Sequence, residues 1–369
     1  MWGVHVPSIK AHYVLDERLL AGALFATSVG SLLALLLAGR LIGRLGARKA
    51  TVLAGWAFCL ALALALLLPS VWVLGLVMVV FGAGQSVFDV AINTEGTALE
   101  SMSGRAVLSG FHGMFSLGGM LGAGAAAAML RAGVAPPVQL AGGAACVAVA
   151  LFASSRGMLD VHPVSDTPQA HFAWPRGALL VIGLLTFLGM LAEGVMYSWS
   201  VLYVQQELHQ PQQRAALAYV AFAGATALMR FAGDWVRARV AERTMLLAGP
   251  LLTAAAMSLV LLIAQPWMAM IGFALVGVGL ATIVPILYNA ATRIPGVSRA
   301  AAIASVSSIG YVGFMVGPPI IGGLAHATSL TVAMATQIVA TVVLAIGSRA
   351  IKQGEPTALR PLSAGAVRV

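Results

Sequence analysis

Long apolar stretches alternate with short polar segments along the whole chain. Most of these stretches approach or exceed the roughly 20 residues that an α-helix needs to cross a bilayer, and charges, proline or glycine separate them. The pattern predicts an all-α polytopic membrane protein. We predict eleven full-length membrane helices, at Leu20–Ala38, Thr51–Leu68, Val71–Thr97, Ala106–Leu130, Val138–Phe152, Ala178–Val204, Ala215–Phe231, Met245–Ala264, Trp267–Ala291, Ala300–Leu324 and Leu330–Ile346.

The first apolar segment, Met1–Lys10, is shorter than the others. At 1.5 Å per residue it would rise only about 15 Å as a helix, against roughly 30 Å of hydrocarbon. We therefore expect it to be the C-terminal half of a first helix whose beginning is absent. It does not resemble a secretory signal, because it has neither a basic start nor a small-residue cleavage site.

Composition and charge agree with a membrane protein. Apolar residues make up 60% of the chain and charged residues 9%, which excludes a soluble globular protein. The net charge of +9 raises the question of a nucleic-acid partner, but the basic residues lie in short loops, so we predict none. Of 21 basic residues, Lys10, Arg18, Arg131 and Arg214 fall on one side of the predicted helices and 17 on the other. The positive-inside rule makes the second side cytoplasmic, together with the C-terminus.

The two halves of the sequence are similar to each other at a shift of 194 residues. The segment Gly39–Gly55 aligns without gaps on Gly233–Gly249, and the Gly-x-Gly motif at Gly82 meets the one at Gly277 at nearly the same shift. On this alignment the short first segment falls on the second half of the seventh helix. Duplicated halves are a common design of membrane transporters.

Two six-helix halves with both ends on the cytoplasmic side resemble the major facilitator superfamily. The most specific element is Gly39-Arg-Leu-Ile-Gly-Arg-Leu-Gly46-Ala-Arg-Lys49, which is similar to that superfamily's loop between helices two and three. The stretches Phe88–Asn93 and Phe111–Ser116 look like a poorly characterised bacterial branch. The resemblance implies six-helix bundles in pseudo-symmetric halves at residues 1–153, with helix one partial, and 176–348, a central cytoplasmic linker at 154–175 and a cytoplasmic tail at 349–369.

The same resemblance assigns conformational gating to the basic loop. In the superfamily an acidic residue helps this loop to latch the cytoplasmic side, but Gly43 stands at that position here. The latch would then rely on the other half, where Asp234 lies near the equivalent turn. The predicted gating residues are Gly39, Arg40, Arg44, Gly46, Arg48, Arg230 and Asp234.

Ionisable side chains inside membrane helices are candidates for function, because burying one costs at least about 2.5–3.5 kcal/mol at the helix centre. We identify Asp89 in the fourth helix, His112 in the fifth and Glu193 in the seventh as predicted proton-coupling residues. The resemblance implies that helices one, four, seven and ten line a central cavity. The positions of Asp89 and Glu193, in helices four and seven, agree with this.

The fourth helix carries a polar stripe. Gln85, Asp89 and Asn93 are spaced four residues apart, which places them on one helix face. A stripe facing lipid would leave polar groups unsatisfied, so it faces a cavity or partner helices. We predict a substrate-binding face here. A structural network between helices is the alternative, since polar groups often form one.

His112 is at a depth similar to that of Asp89, and Ser116 shares its helix face. Histidine titrates near neutral pH, so the two side chains could exchange a proton; a histidine hydrogen-bonded for packing is the alternative. Glu193, with Tyr197 on the same face, has no buried lysine or arginine to neutralise it. We expect Glu193 to act in coupling or in substrate binding, either by being protonated or by meeting a cationic ligand. The alternative is a protonated carboxyl that has only a structural role.

Other polar and aromatic side chains give weaker signals. Tryptophan and tyrosine also anchor helices at membrane interfaces, so for each such residue a structural role competes with a binding role. The further predicted substrate-binding residues are His5, Ser116, Tyr197, Trp199, Tyr288, Asn289 and Tyr311.

The sequence contains no nucleotide-binding loop and no metal-ligand motif, so we predict no cofactor, no metal and no ATP-driven transport. We predict a monomeric, proton-coupled secondary transporter of the bacterial inner membrane. Its partners would be protons, the bilayer and a small organic solute, and we expect export of an amphipathic neutral or cationic compound. Import of a small polar nutrient by proton symport is the alternative. An intramembrane enzyme or sensor using Asp89 and His112 is the alternative of another class.

Overall fold

The computed structural model describes residues 1–103, 108–159, 174–297 and 299–351. Of the described residues 86% are helical, and the described ranges contain no strand. The helices are α1 (Trp2–His12), α2 (Glu17–Leu45), α3 (Ala47–Leu64), α4 (Val71–Ser103), α5 (Leu108–Arg131), α6 (Pro136–Ser155), α7 (Ala178–Gln206), α8 (Gln212–Arg237), α9 (Glu242–Ile263), α10 (Pro266–Leu280), α11 (Ile283–Thr292), α12 (Arg299–Ala327) and α13 (Leu330–Gly347).

The predicted membrane helices are confirmed. Eleven segments of the described chain are long and apolar enough to span a bilayer, and each overlaps one predicted helix. One prediction, the continuous helix Trp267–Ala291, is wrong in detail, because α10 ends at Leu280 and α11 begins at Ile283. The cause is Pro285, which has no N–H to donate to the carbonyl of Ala281 four residues earlier.

The internal repeat is confirmed in the helix boundaries. α1 ends at His12 and α7 at Gln206, and 206 minus 12 is 194. The packing repeats as well: a Cβ added at Gly82 would meet the carbonyl oxygen of Thr27, and one at Gly277 would lie 2.5 Å from that of Phe222. The aligned glycines thus let α4 approach α2, and α10 approach α8, in the same way.

Gly82→Ala tests this close approach. The added methyl group has no room against the Thr27 carbonyl, so we expect the free energy of unfolding to fall by about 1–3 kcal/mol. Thermal unfolding of the purified protein in detergent measures this. Gly75→Ala on the same helix is the control, because a Cβ there meets nothing within 4 Å. Equal effects of the two substitutions would contradict the packing account.

Two seams join the halves. α2 packs on α12 and α5 packs on α8, while α1 packs mainly on α7. We call the end of the bundle with the α1–α2 connection the Lys10 end, and the end with the α2–α3 connection the Arg44 end. Near the Lys10 end, Gln212 of α8 donates to the Val4 carbonyl of α1 at 2.7 Å, and the Gly322 backbone of α12 lies against Ala21 of α2.

The apolar core is divided unevenly between the two ends. One large core includes α1, the Lys10-end parts of α2 to α6, and the whole of the second half. A second, small core around Ile42, Ala47 and Ala50 contains residues of the first half alone among those described. Towards the Arg44 end, the helices α2, α3 and α4 therefore pack on one another rather than on the second half.

The basic loop forms the turn between α2 and α3. Gly46 sits in this turn with a φ of +81°, a conformation that favours glycine. The side chains of Arg40 and Arg44 are exposed and that of Arg48 is half-buried. Their gating role, like that of Gly39, stays a prediction. So do the domain limits, because residues 160–173 and 352–369, most of the predicted linker and tail, lie outside the described ranges.

Candidate functional site

Polar side chains from six helices gather between the two halves. Two carboxylates anchor the group: Asp89 is the nineteenth of 33 residues of α4, and Glu193 the sixteenth of 29 residues of α7, so both lie near the middle of their helices. We call the whole group the central cluster. Its members are Asp89 (α4), Ser116 (α5), Glu193 and Tyr197 (α7), Arg230 (α8), Tyr288 (α11) and Tyr311 (α12).

Glu193 is paired with an arginine. Nη2 of Arg230 lies 2.8 Å from Oε1 of Glu193, and the two side chains are only 14% and 10% exposed. The hydroxyl of Tyr197 donates to the same carboxylate oxygen at 3.3 Å. The prediction that no basic residue neutralises Glu193 is therefore wrong.

The reason for this error lies in the direction of the Arg230 side chain. The predicted helix ended at Phe231, which placed Arg230 at its cytoplasmic end among the gating residues. In the structure α8 continues to Arg237, so Arg230 is two turns inside the helix. Long side chains on a helix point towards its N-terminus, and here that direction carries the guanidinium to the level of Glu193.

Arg230 also connects the two halves. Its Nη1 donates to Oγ of Ser116 at 2.6 Å, and Ser116 is 1% exposed. The guanidinium thus joins α5 of the first half to α7 and α8 of the second. Its planar fork of donors allows this, whereas a lysine ammonium would offer a single point charge.

A second polar contact crosses between the halves at Asp89. The hydroxyl of Tyr311 on α12 donates to Oδ2 of Asp89 on α4 at 3.0 Å. Nδ2 of Asn93 donates to Oδ1 of the same side chain at 3.2 Å. Both partners donate, and this suits an ionised carboxylate. Tyr288 and Tyr311 both lie near enough to Asp89 and Glu193 for the charge of either carboxylate to act on their hydroxyl groups.

The polar stripe of α4 lies beside this contact. Gln85, Asp89 and Asn93 are all half-buried, as expected of side chains that line a narrow space. Asn93 also donates to the Asp89 carbonyl at 2.8 Å, whereas the Gln85 amide has no hydrogen-bond partner among the described residues.

Three predicted substrate-binding residues are engaged elsewhere. His5 is fully buried and bonded to Gln139 of α6 at 3.1 Å. Trp199 is fully buried and donates to the Pro318 carbonyl at 3.1 Å, which fixes α7 to α12. Asn289 donates to Oε1 of Glu242 at 2.9 Å, near the α8–α9 connection. In this structure these contacts belong to helix packing, and none involves the central cluster.

His112 and Asp234 lie on α5 and α8, but their side chains are outside the described part of the structure. The predicted exchange of a proton between His112 and Asp89 and the latch at Asp234 stay predictions. Among the described residues no group of three or more histidine, cysteine or acidic side chains could hold a metal ion.

Comparison with known proteins gives a clear family. The sequence model of the Major Facilitator Superfamily matches residues 2–236 and 179–368. An uncharacterised MFS-type transporter of Yersinia pestis is 35% identical over 354 residues, which cover 95% of this chain and 91% of the relative. The membrane protein MosC of Rhizobium meliloti is 30% identical over 353 residues, covering 94% of this chain and 85% of that protein.

Solved structures share the fold at low identity. The nucleoside transporter NupG superposes with a TM-score of 0.76 at 12% identity, covering 95% of this chain and 96% of NupG. The Escherichia coli fucose:proton symporter FucP gives a TM-score of 0.61 at 16% identity, covering 95% and 94%. At these identities the likeness shows the fold alone, two six-helix halves. Sequence match and fold agree: this chain belongs to the Major Facilitator Superfamily of transporters.

Proposed function

We propose that this transporter is driven by protons and moves a small organic solute by alternating access. The observation that carries the proposal is the bond between Tyr311 and Asp89, because it joins the two halves through a group that can take up a proton. The halves of an alternating-access transporter must move against each other, so a titratable contact between them can link proton binding to that movement.

The proposed coupling works through the strength of this contact. An ionised Asp89 accepts charge-assisted hydrogen bonds from Tyr311 and Asn93, which are about twice as strong as neutral ones. Protonation of Asp89 removes this assistance and weakens the bond between α4 and α12. Loading and release of a proton would then favour different arrangements of the halves.

The charge of the central cluster favours neutral or cationic solutes. Glu193 and Arg230 neutralise each other, so Asp89 is the carboxylate of the cluster that this ion pair does not include. The guanidinium of Arg230 is engaged by Glu193 and Ser116, which disfavours an anionic solute. The amide of Gln85 and the tyrosine rings would supply hydrogen bonds and apolar walls for an amphipathic compound.

Export is the direction that we propose first. Glycines at positions 118, 119, 122 and 124 of α5 resemble the glycine-rich motif of superfamily antiporters, although the proline of that motif is missing. Import of a small polar nutrient by symport is the second candidate. The polar stripe of α4 favours it, and a fucose:proton symporter shares the fold.

We further propose that the chain works as a monomer in the bacterial inner membrane with its Arg44 end in the cytoplasm. The asymmetry of basic residues supports this orientation. An intramembrane enzyme is disfavoured, because the superfamily and its duplicated halves are those of transporters.

A ligand screen followed by flux measurement tests the function. Compounds that raise the melting temperature of the purified protein, screened at several pH values, would be loaded into proteoliposomes with an imposed pH gradient. We expect at least one to move across the membrane faster with the gradient than after its collapse by a protonophore. A compound that is chemically converted without crossing would overturn the proposal in favour of an enzyme, and flux indifferent to the gradient would overturn proton coupling.

A further inference from the structure

A groove separates α5 and α8 at the Lys10 end of the seam between the halves. It encloses about 460 Å³. Arg131, the last residue of α5, and Arg214, the third residue of α8, stand at its rim. Gly124, Ala127 and Leu217 line its inner part. We call this cavity the α5–α8 groove.

Among the residues that the structure describes, nothing neutralises the two arginines of the rim. Neither guanidinium has an ion-pair or hydrogen-bond partner among the described residues. They are also two of only four basic residues that the sequence places at this end, where the positive-inside rule disfavours them. Their convergence on one cavity at the membrane boundary creates a site for an anion, and bidentate arginine suits phosphate oxygens in particular.

The inner part of the groove is apolar and closed at its bottom. From Arg131 to Gly124 the helix descends about 10 Å at 1.5 Å per residue, towards the middle of the membrane. A Cβ added at Gly124 would meet nothing within 4 Å, so space is open there. One turn deeper the helices touch, where Gly224 of α8 lies against Met120 of α5. The groove thus offers a charged rim and a short apolar slot that points into the bilayer.

We propose that the α5–α8 groove binds an anionic phospholipid of the surrounding bilayer. The headgroup phosphate lies between Arg131 and Arg214, and the upper part of one acyl chain fills the slot beside Gly124. A soluble anion would pair with the two arginines of the rim but would leave the apolar slot unfilled. Because the groove lies on a seam between the halves, a bound lipid holds α5 and α8 apart at the Lys10 end and favours the arrangement seen here. This proposal is independent of proton coupling and of the solute.

Lipid titration of the full chain tests this site. The purified, delipidated protein in detergent would be titrated with phosphatidylglycerol or with phosphatidylcholine of the same acyl chains, and bound lipid counted by native mass spectrometry. We expect tighter binding of phosphatidylglycerol. Arg131→Gln combined with Arg214→Gln should weaken the binding of phosphatidylglycerol by about 25-fold. Each basic side chain near a membrane surface contributes about fivefold, and the two factors multiply. Gly124→Leu, which fills the slot and leaves both charges in place, should also weaken it.

Arg18→Gln is the matched control. Arg18 is exposed at the same end, but α2 packs on α4 and α12, away from the groove. Its loss should weaken phosphatidylglycerol binding by less than about twofold, since exposed charges beyond about 10 Å are screened. Equal losses for Arg18→Gln and the double variant, or equal binding of the two lipids, would overturn the proposal. Inorganic phosphate competing at concentrations equal to those of the lipid would identify a soluble anion as the ligand instead.

Discussion

Asp89→Asn should abolish solute transport driven by a pH gradient while leaving the protein folded. Asparagine keeps the size of the side chain and can still accept a hydrogen bond from Tyr311, but it cannot exchange a proton. We expect the gradient-driven rate in proteoliposomes to fall to the level of empty liposomes, a loss of at least about 100-fold, the lower limit of what a positioned proton-transfer group contributes. Downhill exchange of solute in the absence of a gradient should persist.

Asp16→Asn is the matched control for this experiment. Asp16 caps α2 by accepting from the Leu19 N–H at 2.7 Å, it is exposed, and asparagine is an equally good cap. The same carboxylate-to-amide exchange outside the membrane should therefore leave transport unchanged. Full gradient-driven transport in Asp89→Asn would contradict the assignment of Asp89 as the coupling group.

Arg230→Gln should destabilise the protein and stop transport. It leaves the Glu193 carboxylate buried without its cation, and removing one partner of a buried ion pair costs about 3–5 kcal/mol. Glu193→Gln should cost a comparable amount, because it leaves the guanidinium unpaired. In the double variant Glu193→Gln with Arg230→Gln neither charge of the pair is left unpaired, so we expect most of the stability to return. Thermal unfolding of all four proteins completes the double-mutant cycle.

A more exposed ion pair of the same type serves as the comparison. Nη1 of Arg293 lies 3.2 Å from Oε2 of Glu242, with side chains 45% and 19% exposed. Arg293→Gln should therefore cost less than about 1 kcal/mol. If the losses of stability caused by Glu193→Gln and Arg230→Gln simply add in the double variant, the two side chains do not form a coupled pair. The contacts of the central cluster would then differ from those in the structure.

The sequence was sufficient to predict the helices and their duplication. Membrane helices need long apolar runs, so their number follows from composition, and the glycines at 82 and 277, aligned from the sequence, pack equivalently in the structure. The break before α11 was missed, although Pro285 was the available signal. A proline inside an apolar run removes one backbone hydrogen-bond donor, and the hydropathy of the run does not reveal this loss.

The central cluster was predicted only in part. Asp89 and Glu193 stand out because carboxylates are rare inside membrane helices. Their partners could not be read from the sequence, since Tyr311 is 222 positions from Asp89 and the bond depends on how two helices are placed. The role of Arg230 could have been predicted in principle. An arginine near a helix end can extend its side chain along the helix, so a position at the predicted end of the helix did not exclude a buried guanidinium.

Distance measurement across the α2–α12 seam tests most directly whether protonation of Asp89 controls the arrangement of the halves, and it needs no knowledge of the solute. Spin labels would replace Leu41 and Ile303, which are exposed on α2 and α12 towards the Arg44 end, after Cys59→Ala and Cys146→Ala. Double electron–electron resonance in nanodiscs would then record their distances at low and high pH. We predict that the distance distribution shifts with pH, and that Asp89→Asn shows the low-pH distribution at both. A pH response in Asp89→Asn identical to that of the parent protein, or no response in the parent, would contradict the account.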